Sequence, residues 1–330
     1  MENELKQLCE KFISNKVDMK ENFKWQNRDI INVCAFLFTS LDKKIDSEKI
    51  LNAKNIFKEN VGIFSNLRGN CRNQIICLLS LSDNPTKKIQ VILNMYKHLK
   101  KYFPGTEYIV LASALLCDVI TVDKYDEVFT RAKGIYKLMK KEHRFLTSSE
   151  DIVMCLLLSL VDKDDQKIIE ETEMYFSILK PTFKSNNSRQ SLAHIMTLQN
   201  GDMNKSCEKA SNLFNGLKEK KIKFGETFEL PSLALLVYND FEVDKILSDF
   251  IEVDNYLKNL KEYSWVSVSS KVRYTHVCML LSKYYGLNDS TSATVINTSV
   301  LTMLLIQQSA NMAMTASFIM MSTAASSSCC

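Results

Sequence analysis

The sequence has little glycine and proline, with 8 Gly and 4 Pro among 330 residues. Glycine supplies the left-handed backbone conformations of tight turns and proline interrupts helices, so a chain poor in both has few turns and few helix breaks. Runs of alternating polar and apolar residues joined by turn dipeptides, which indicate β-hairpins, are also missing. The sequence therefore predicts an all-α protein.

The sequence also lacks the short signatures of familiar catalytic and metal sites. It contains no Cys-x-x-Cys pair, no Gly-x-Ser-x-Gly, no P-loop and no His-Glu-x-x-His. Its acidic run at 162–165 lacks the glycine and the final glutamate of a calcium loop, which indicates a solvated turn and helix cap. The sequence thus predicts no cofactor and no metal ion, and it favours a non-enzymatic protein over an enzyme.

Neither the charge nor the cysteines indicate an unusual environment. The formal net charge is +4, which is too small by itself to argue for nucleic acid or a membrane surface. Among the ten cysteines, Cys34, Cys77, Cys155 and Cys278 lie in apolar helical runs, where a thiol acts as a small hydrophobic group. The chain begins with the charged stretch 1–4 rather than an apolar signal-peptide core. These features predict a cytoplasmic protein with reduced cysteines.

A sequence pattern recurs along the chain with a period of about 40 residues. In a polar amphipathic helix, an aromatic residue is followed three or four residues later by Leu or Met and then by Lys. The sets are Tyr96-Leu99-Lys100, Tyr136-Met139-Lys140, Phe176-Leu179-Lys180, Phe214-Leu217-Lys218 and Tyr256-Leu260-Lys261. The aromatic positions follow one another at steps of 40, 40, 38 and 42 residues. This period fits two helices of about 15 residues each and two short loops.

The more apolar helix of each pair has a small residue at a matching position, except that one copy has a histidine. These residues are Cys34, Cys77, Ala112, Cys155, His194, Ala234 and Cys278. A loop aspartate follows each of them, at Asp42, Asp83, Asp118, Asp162, Asp202, Asp240 and Asp289. Because neither helix can bury its apolar stripe alone, stacked pairs create one continuous core. We therefore predict a right-handed αα-hairpin repeat (an α-solenoid or α-α superhelix) of six to seven hairpins, with the apolar helices in the inner layer.

Capping residues support these helix boundaries. Asn84 places a polar cap before Pro85 at the first helical position. Thr147 and Glu150 have the spacing of a capping box. Pro231 is predicted to open a further apolar helix, since proline is favoured at the start of helices.

The predicted domain organisation follows the repeat. A helical-hairpin domain spans residues 1–290 and begins with an N-terminal cap helix at 1–32. The uncharged segment 291–325, rich in Ala, Met and Ser, is predicted to form a helical cap, and the tail 326–330 to be disordered. Self-association and membrane contact are the alternatives for this segment. Its strongly apolar run, 300–306, is shorter than the roughly 20 residues of a membrane span, so the packed cap is favoured.

Lysines recur at the predicted C-terminal ends of the polar helices. They are Lys100, Lys101, Lys140, Lys141, Lys180, Lys220, Lys221, Lys258 and Lys261. In a stacked repeat these ends lie along one edge, which we call the basic edge. The favoured interpretation is local, because a lysine at a helix C-terminus complements the helix dipole by about 0.3–1 kcal/mol. The alternative is a binding surface for an anionic partner, such as an acidic protein segment or an RNA backbone.

The histidine of the repeat defines a candidate pocket. His194 is a larger, polar residue at a position where other copies have Cys or Ala, and Arg189, Asp202 and Cys207 lie nearby in sequence. These residues are candidate pocket residues, because a ring among small side chains can mark a ligand site. A hydrogen-bonded histidine that fills an irregular gap is the favoured interpretation.

Three functions are compatible with the sequence. The repeat and the missing catalytic motifs favour a non-enzymatic scaffold that binds a protein or peptide. An enzyme or small-molecule binder with a central pocket is the alternative, because six or seven hairpins also suffice to close an α/α toroid. Binding of RNA or another anionic partner along the basic edge is the third. Nucleic acid and membrane are less favoured as partners than protein, and the oligomeric state stays open.

The chain resembles an uncharacterised bacterial family, domain of unknown function 4003. The stretches that carry the resemblance are 188–196, 225–236 and the uncharged Ala/Ser/Met tail. The similarity extends over most of the chain and includes no catalytic motif. The resemblance implies a bacterial cytoplasmic protein and transfers no activity.

Overall fold

The computed structural model describes residues 1–24, 28–199, 201–225, 227–263 and 268–286. This part of the chain contains thirteen α-helices, five short 3₁₀ helices and no strand, which confirms the predicted all-α class. The α-helices are α1 Asn3–Asn22, α2 Arg28–Ser40, α3 Ser47–Asn60, α4 Arg72–Ser80, α5 Pro85–Leu99, α6 Glu107–Leu116, α7 Tyr125–Glu142, α8 Ile152–Leu158, α9 Asp165–Ile178, α10 Asn186–Gln199, α11 Met203–Glu219, α12 Val243–Lys258 and α13 Ser270–Gly286. The 3₁₀ helices are Asn66–Arg68, Val122–Lys124, Ser149–Asp151, Leu230–Leu236 and Lys261–Tyr263.

The helix caps follow local sequence rules, with one shift from the prediction. The side chain of Asn84 accepts a hydrogen bond from the backbone N–H of Lys87 ahead of Pro85, as predicted. The capping box at the start of the fourth apolar segment is formed by Ser148 and Asp151, not by Thr147 and Glu150. The predicted assignment was therefore wrong by one residue.

Several of the apolar segments are shorter than the predicted length of about 15 residues, whereas α10 and α13 have 14 and 17. Helices α4, α6 and α8 have 9, 10 and 7 residues. The segment that Pro231 opens is the 3₁₀ helix Leu230–Leu236, and all seven of its residues are buried. A 3₁₀ helix rises further per residue than an α-helix, so these seven residues span about 14 Å.

Residues 14–125 form one compact unit. Within it α3 packs on α4 and α5, α2 packs on α4, and α5 packs on α6. The buried core of this unit includes Ile50, Phe57, Ile76, Ile92 and Leu111. The side-chain amide of Asn15 donates to Thr39 Oγ1 over 3.0 Å, which joins the end of α1 to α2.

Residues 1–13 and 126–286 belong to a second compact unit. Within it α10 packs on α8, α9 and the 3₁₀ helix Leu230–Leu236, and α13 packs on that 3₁₀ helix and on α12. The N-terminal segment contacts these last helices. Phe12 is buried with its ring centroid 5.5 Å from that of His276, and Glu2 accepts hydrogen bonds from Lys245 Nζ and from the hydroxyl of Tyr284. Residues at opposite ends of the described chain thus share one core.

The small residues of the repeat lie in the interior. Cys34, Cys77, Ala112, Cys155, His194, Ala234 and Cys278 are all buried. The aromatic residues that mark the polar helices, Tyr96, Tyr136, Phe176, Phe214 and Tyr256, are half-buried in α5, α7, α9, α11 and α12. The apolar helices are therefore the more deeply buried ones, and the polar helices keep one face in water.

Basic side chains near the starts of three polar helices hold the loop that lies 30 residues further on. Arg131 on α7 donates to Asp165 Oδ1 over 2.7 Å and to the carbonyl oxygens of Ser159 and Val161 over 2.9 and 2.8 Å. Lys209 on α11 donates to the carbonyl oxygen of Asn239 over 2.6 Å. Arg131 also donates to the carbonyl oxygen of Lys163, and Lys209 also donates to Asn239 Oδ1 over 3.2 Å and to the carbonyl oxygen of Phe241 over 2.8 Å. Lys88 on α5 donates to Asp118 Oδ2 over 2.5 Å. These contacts fix where each following polar helix begins.

None of the helices in the described ranges is both long enough and apolar enough to cross a bilayer. The uncharged segment 291–325 and the tail 326–330, for which a helical cap and a disordered end were predicted, lie outside the described residues.

Candidate functional site

His194 lies on α10 and is 2% exposed. Its Nδ1 atom is 3.9 Å from Oδ1 of Asp151, which is too long for a hydrogen bond. Asp151 is itself buried at the end of the 3₁₀ helix that precedes α8, where its Oδ2 accepts from the backbone N–H of Ser148 over 2.8 Å. The structure thus brings His194 together with an acid that the sequence had not singled out.

Burial sets the protonation of this pair. Desolvation, with a smaller contribution from His143, lowers the pKa of His194 to about 3. Desolvation likewise raises the pKa of Asp151 to about 7, because a charged carboxylate loses its water there. At neutral pH the imidazole is therefore uncharged and the carboxyl is near its titration midpoint. Both shifts have the same cause, which is the removal of charged forms from water.

The surroundings of His194 favour a structural role over a reactive one. One helical turn beyond Asp151, the thiol of Cys155 has a pKa well above its usual range because of burial and the charge of Asp151. A thiol held protonated is a poor nucleophile. Because His194, Asp151 and Cys155 are all buried, a substrate could reach them only if helices moved apart.

Arg189 lies on the first turn of α10 and is 3% exposed. It donates from Nη1 to the carbonyl oxygen of Phe183 over 2.6 Å and from Nη2 to Asn186 Oδ1 over 2.8 Å. Its guanidinium carbon is 4.1 Å from the ring centroid of Phe176, whose ring centroid is 4.7 Å from that of His143. The Nε of Arg189 is buried without an acceptor. Arg189 thus fastens the loop that precedes α10.

The other two candidate pocket residues lie on a different element from His194. Asp202 is exposed and caps α11, where its Oδ1 accepts from the backbone N–H of Lys205 over 3.0 Å. Cys207 is buried on α11, and burial raises the pKa of its thiol to about 11. His194 and Arg189 both lie on α10, whereas Asp202 lies at the start of α11 and is exposed to solvent.

Buried ionisable residues lie at the starts of four successive apolar segments. They are Asp151 before α8, Arg189 in α10, Glu229 before the 3₁₀ helix Leu230–Leu236, and Arg273 in α13. Only Arg189 was found from the sequence. The signal that could have found the others is their recurrence at steps of 38, 40 and 44 residues at the start of each apolar segment.

Glu229 and Arg273, the last two of these four residues, have hydrogen-bonding partners. Glu229 is fully buried and accepts from the hydroxyl of Thr227 over 2.6 Å. Arg273 faces the buried carboxylate of Asp254, with Nε to Oδ1 at 2.6 Å and Nη2 to Oδ2 at 3.4 Å. A buried ion pair of this kind costs desolvation energy and contributes mainly when both partners are present. These four buried residues therefore help to fix where the apolar segments begin.

The nine lysines of the predicted basic edge are all exposed. Lys140 and Lys141 lie in the last turn of α7, Lys220 is the C-cap of α11, and Lys258 ends α12. The others, Lys100, Lys101, Lys180, Lys221 and Lys261, lie just beyond the ends of α5, α9, α11 and α12. Lys100 and Lys101 belong to the unit of residues 14–125, and the other seven belong to the second unit.

A groove with a volume of about 460 Å³ lies between α9, the end of α10 and the start of α11. Its apolar wall includes Met174 and Ile178, which are 54% and 41% exposed, together with Met203. Its lining also includes two charges of each sign, from Lys163, Lys167, Glu170 and Glu171. The sequence did not reveal this groove, because Met174 and Ile178 have the same four-residue spacing as core residues.

Metal binding finds no support in the described ranges, where no group of three or more His, Cys, Asp or Glu side chains is arranged to hold an ion.

Sequence relatives agree with the resemblance drawn above. The profile of the family described as "Protein of unknown function (DUF4003)" matches residues 16–321, which confirms that resemblance. The chain is similar to the uncharacterized protein YeaA of Bacillus subtilis (strain 168), with 22% identity over 242 residues that cover 72% of this chain and 74% of that protein. No solved structure matches the chain significantly. Neither that description nor that name assigns an activity.

Proposed function

We propose a function for this chain, which belongs to the DUF4003 family of proteins of unknown function: it is a non-enzymatic, helical-repeat scaffold that binds an acidic protein segment at the ends of its polar helices. The observation that carries this proposal is the exposure of every lysine at those helix ends, while His194 and its neighbours are sealed in the interior.

The hydrogen bonds between successive segments support a repeat of helical hairpins. Asn66 Nδ2 donates to the carbonyl oxygen of Gly105, a step of 39 residues. Gln190 Nε2 donates weakly to Thr147 Oγ1, a step of 43 residues. The hydroxyl of Tyr238 donates to the carbonyl oxygen of Met196 at a step of 42, and Lys271 Nζ to Thr227 Oγ1 at a step of 44. Steps this similar are expected where each hairpin lies beside an equivalent one.

The second unit supports a shared orientation of its polar helices. Arg131 near the start of α7 bonds to Asp165 at the start of α9, and Lys209 near the start of α11 bonds to the loop that leads into α12. Helix starts that lie beside one another imply that the C-terminal ends also lie on one side. The proposal therefore places Lys140, Lys180, Lys220 and Lys258 on one face of this unit.

The two other functions receive less support. An enzyme or binder built around His194 needs access that the buried ring does not offer. RNA binding needs aromatic platforms beside the lysines, and the aromatics of the repeat are half-buried. We also propose a cytoplasmic location, because the cysteines of the described ranges are buried free thiols.

Charge neutralisation tests the scaffold. We expect substitution of Lys140, Lys220 and Lys258 by Gln to weaken partner retention at least about tenfold in pull-downs from source cells, and added salt to weaken it in the wild type. Substitution of Lys137, Lys167 and Lys205, which are exposed on α7, α9 and α11 but not at their C-terminal ends, is the matched control. If both triple variants retained the partner equally well, the basic edge would have no role in partner binding.

A further inference from the structure

The turn that follows α7 presents a phenylalanine to solvent. Phe145 is 96% exposed, although phenylalanine is among the residues that proteins most often bury. A single exposed apolar side chain is ordinary, so the exposure alone assigns nothing. Two further observations concern the rigidity of this turn and the charges around it.

The turn is held on both sides of Phe145. The Nε2 atom of His143 lies 2.8 Å from Glu173 Oε2, and its ring packs against that of Phe176 at an interplanar angle of 57°. The backbone N–H groups of Leu146 and Thr147 both donate to the carbonyl oxygen of His143, over 3.1 and 3.0 Å. The hydroxyl of Thr147, which is buried, donates to the carbonyl oxygen of Met139 over 3.3 Å. Phe145 therefore projects from a fixed backbone and would lose little conformational entropy on binding.

The charges around Phe145 have mainly one sign. Lys140, Lys141 and Arg144 are exposed within five residues of it, against the single exposed acid Glu142. Lys140 also lies over the ring of Tyr136, with Nζ 5.7 Å from the ring centroid, which limits where that lysine reaches. A projecting apolar group with a basic surround complements an apolar pocket with an acidic rim.

We infer that Phe145 is the anchor of a protein-protein contact, inserted into an apolar pocket with an acidic rim on a folded partner protein. The inference rests on the proposed function and names the contact residue of the same helix-end surface. A convex side chain needs a concave apolar receptor, which folded proteins provide. Nucleic acids are bound by stacking on several aromatics along a basic groove, and the turn offers one aromatic on a projection.

Photo-crosslinking from the anchor position tests the inference. The photoreactive residue benzoylphenylalanine replaces Phe145 in the full chain, and adducts formed in source cells are identified by mass spectrometry. We expect one protein adduct, mapped to a peptide whose folded surroundings are acidic and apolar, and its loss when Lys140, Lys141 and Arg144 are changed to Glu. The same residue at Phe64 is the control and should give no such adduct, because Phe64 is 99% exposed and the only basic residue within five positions of it is the half-buried Arg68.

Affinity for the identified partner gives the second readout. We expect Phe145→Ser to weaken binding at least about tenfold, as for truncation of an interface anchor, and Phe64→Ser to leave it unchanged. Circular dichroism checks that both variants fold, and both sites are exposed, so the native helix content should persist.

Four outcomes would overturn the inference: no adduct at position 145, an adduct to nucleic acid, an adduct to a second copy of this chain, or an adduct that survives the charge reversal. Benzoylphenylalanine at position 220 separates this failure from that of the scaffold. If a partner is captured from position 220 but not from position 145, the role of Phe145 as an anchor is wrong and the proposed scaffold function stands. If no partner is captured from either position, both proposals are wrong.

Discussion

Three buried ionisable side chains at the starts of apolar segments have partners in the backbone or among near neighbours in sequence. Asp151 accepts from the N–H of Ser148, Arg189 donates to the carbonyl oxygen of Phe183, and Glu229 accepts from the hydroxyl of Thr227. Such groups tie the start of each inner segment to the loop before it. Among them, burial raises the pKa of Asp151 to about 7, so the protonation of this carboxyl is coupled to stability.

Asp151→Asn gives a pH-dependent gain in stability. Burial raises the pKa of Asp151 to about 7, while the unfolded carboxyl ionises near its usual value of about 3.9. Between these values the folded state holds a proton that the unfolded state has lost, so the wild type loses stability as the pH rises. We expect the free energy of unfolding of Asp151→Asn, relative to the wild type, to rise by about 3 kcal/mol from about pH 4 to pH 7 and to level off above pH 7, measured by urea denaturation.

His194 titrates in the opposite sense but does not obscure this difference. Its pKa is lowered to about 3, so its contribution is present above the usual value of about 6.5 and is lost as the pH falls towards 3. Both proteins retain His194, so its contribution largely cancels in the comparison. Asp164→Asn at the exposed cap of α9 is the control, and a pH trend of equal size there would contradict the role of burial.

Gly225→Ala destabilises the second unit through backbone and ring strain. Gly225 has φ +82°, a conformation that residues with a Cβ rarely adopt, and a Cβ there would lie 2.7 Å from Phe214 Cε2. We expect a loss of about 2 kcal/mol in the free energy of unfolding, measured by denaturation. Gly286→Ala, where a Cβ would meet no atom within 4 Å, should change it by less than about 0.5 kcal/mol. Equal effects would contradict the strained geometry.

At the scale of the elements, the helices begin where basic side chains hold the loop between them. Arg131 contacts three backbone carbonyls and Asp165, and Lys209 repeats the arrangement with Asn239 and Phe241. In these contacts, long basic side chains donate to backbone carbonyls of the loops and so hold the loops in place.

Arg131→Met tests the fastening of α9. The change removes several charge-assisted hydrogen bonds and leaves Asp165 without its partner, so we expect a loss of about 3 kcal/mol in the free energy of unfolding and faster hydrogen exchange in residues 159–163. Lys137→Met on the same helix, at an exposed position, should have little effect. Similar losses in the two variants would show that Arg131 acts only as a surface charge.

Sequence patterns predicted the elements better than their exact starts. Asn84 and Asp202 cap α5 and α11, because the cap depends on one local side chain. The motif around Thr147 and Ser148 offers two overlapping capping boxes, and local sequence does not choose between them. The choice depends on tertiary contacts, since Gln190 approaches Thr147. Arg131 could not be found either, because a clamping side chain and a solvated one look alike in a helical pattern.

At the scale of the whole molecule, the scarcity of glycine and proline and the missing strand-type alternation predicted the all-α class, and the resemblance predicted the family. The sequence did not reveal that residues 1–13 share a compact unit with α12 and α13. Periodicity reports which face of a helix is apolar, and it does not report which distant helix covers that face. For the same reason, the sequence singled out His194 but did not reveal that Asp151 lies beside it.

Native mass spectrometry of the protein, isolated gently from its source cells, tests the scaffold most directly. It reports bound protein, small molecule and metal together, at the stoichiometry present in the cell. We expect a stoichiometric complex with another protein that dissociates as the salt concentration is raised, because the basic edge supplies the contact. A chain that carries a small molecule or metal ion and no protein partner would contradict the scaffold and turn attention to His194.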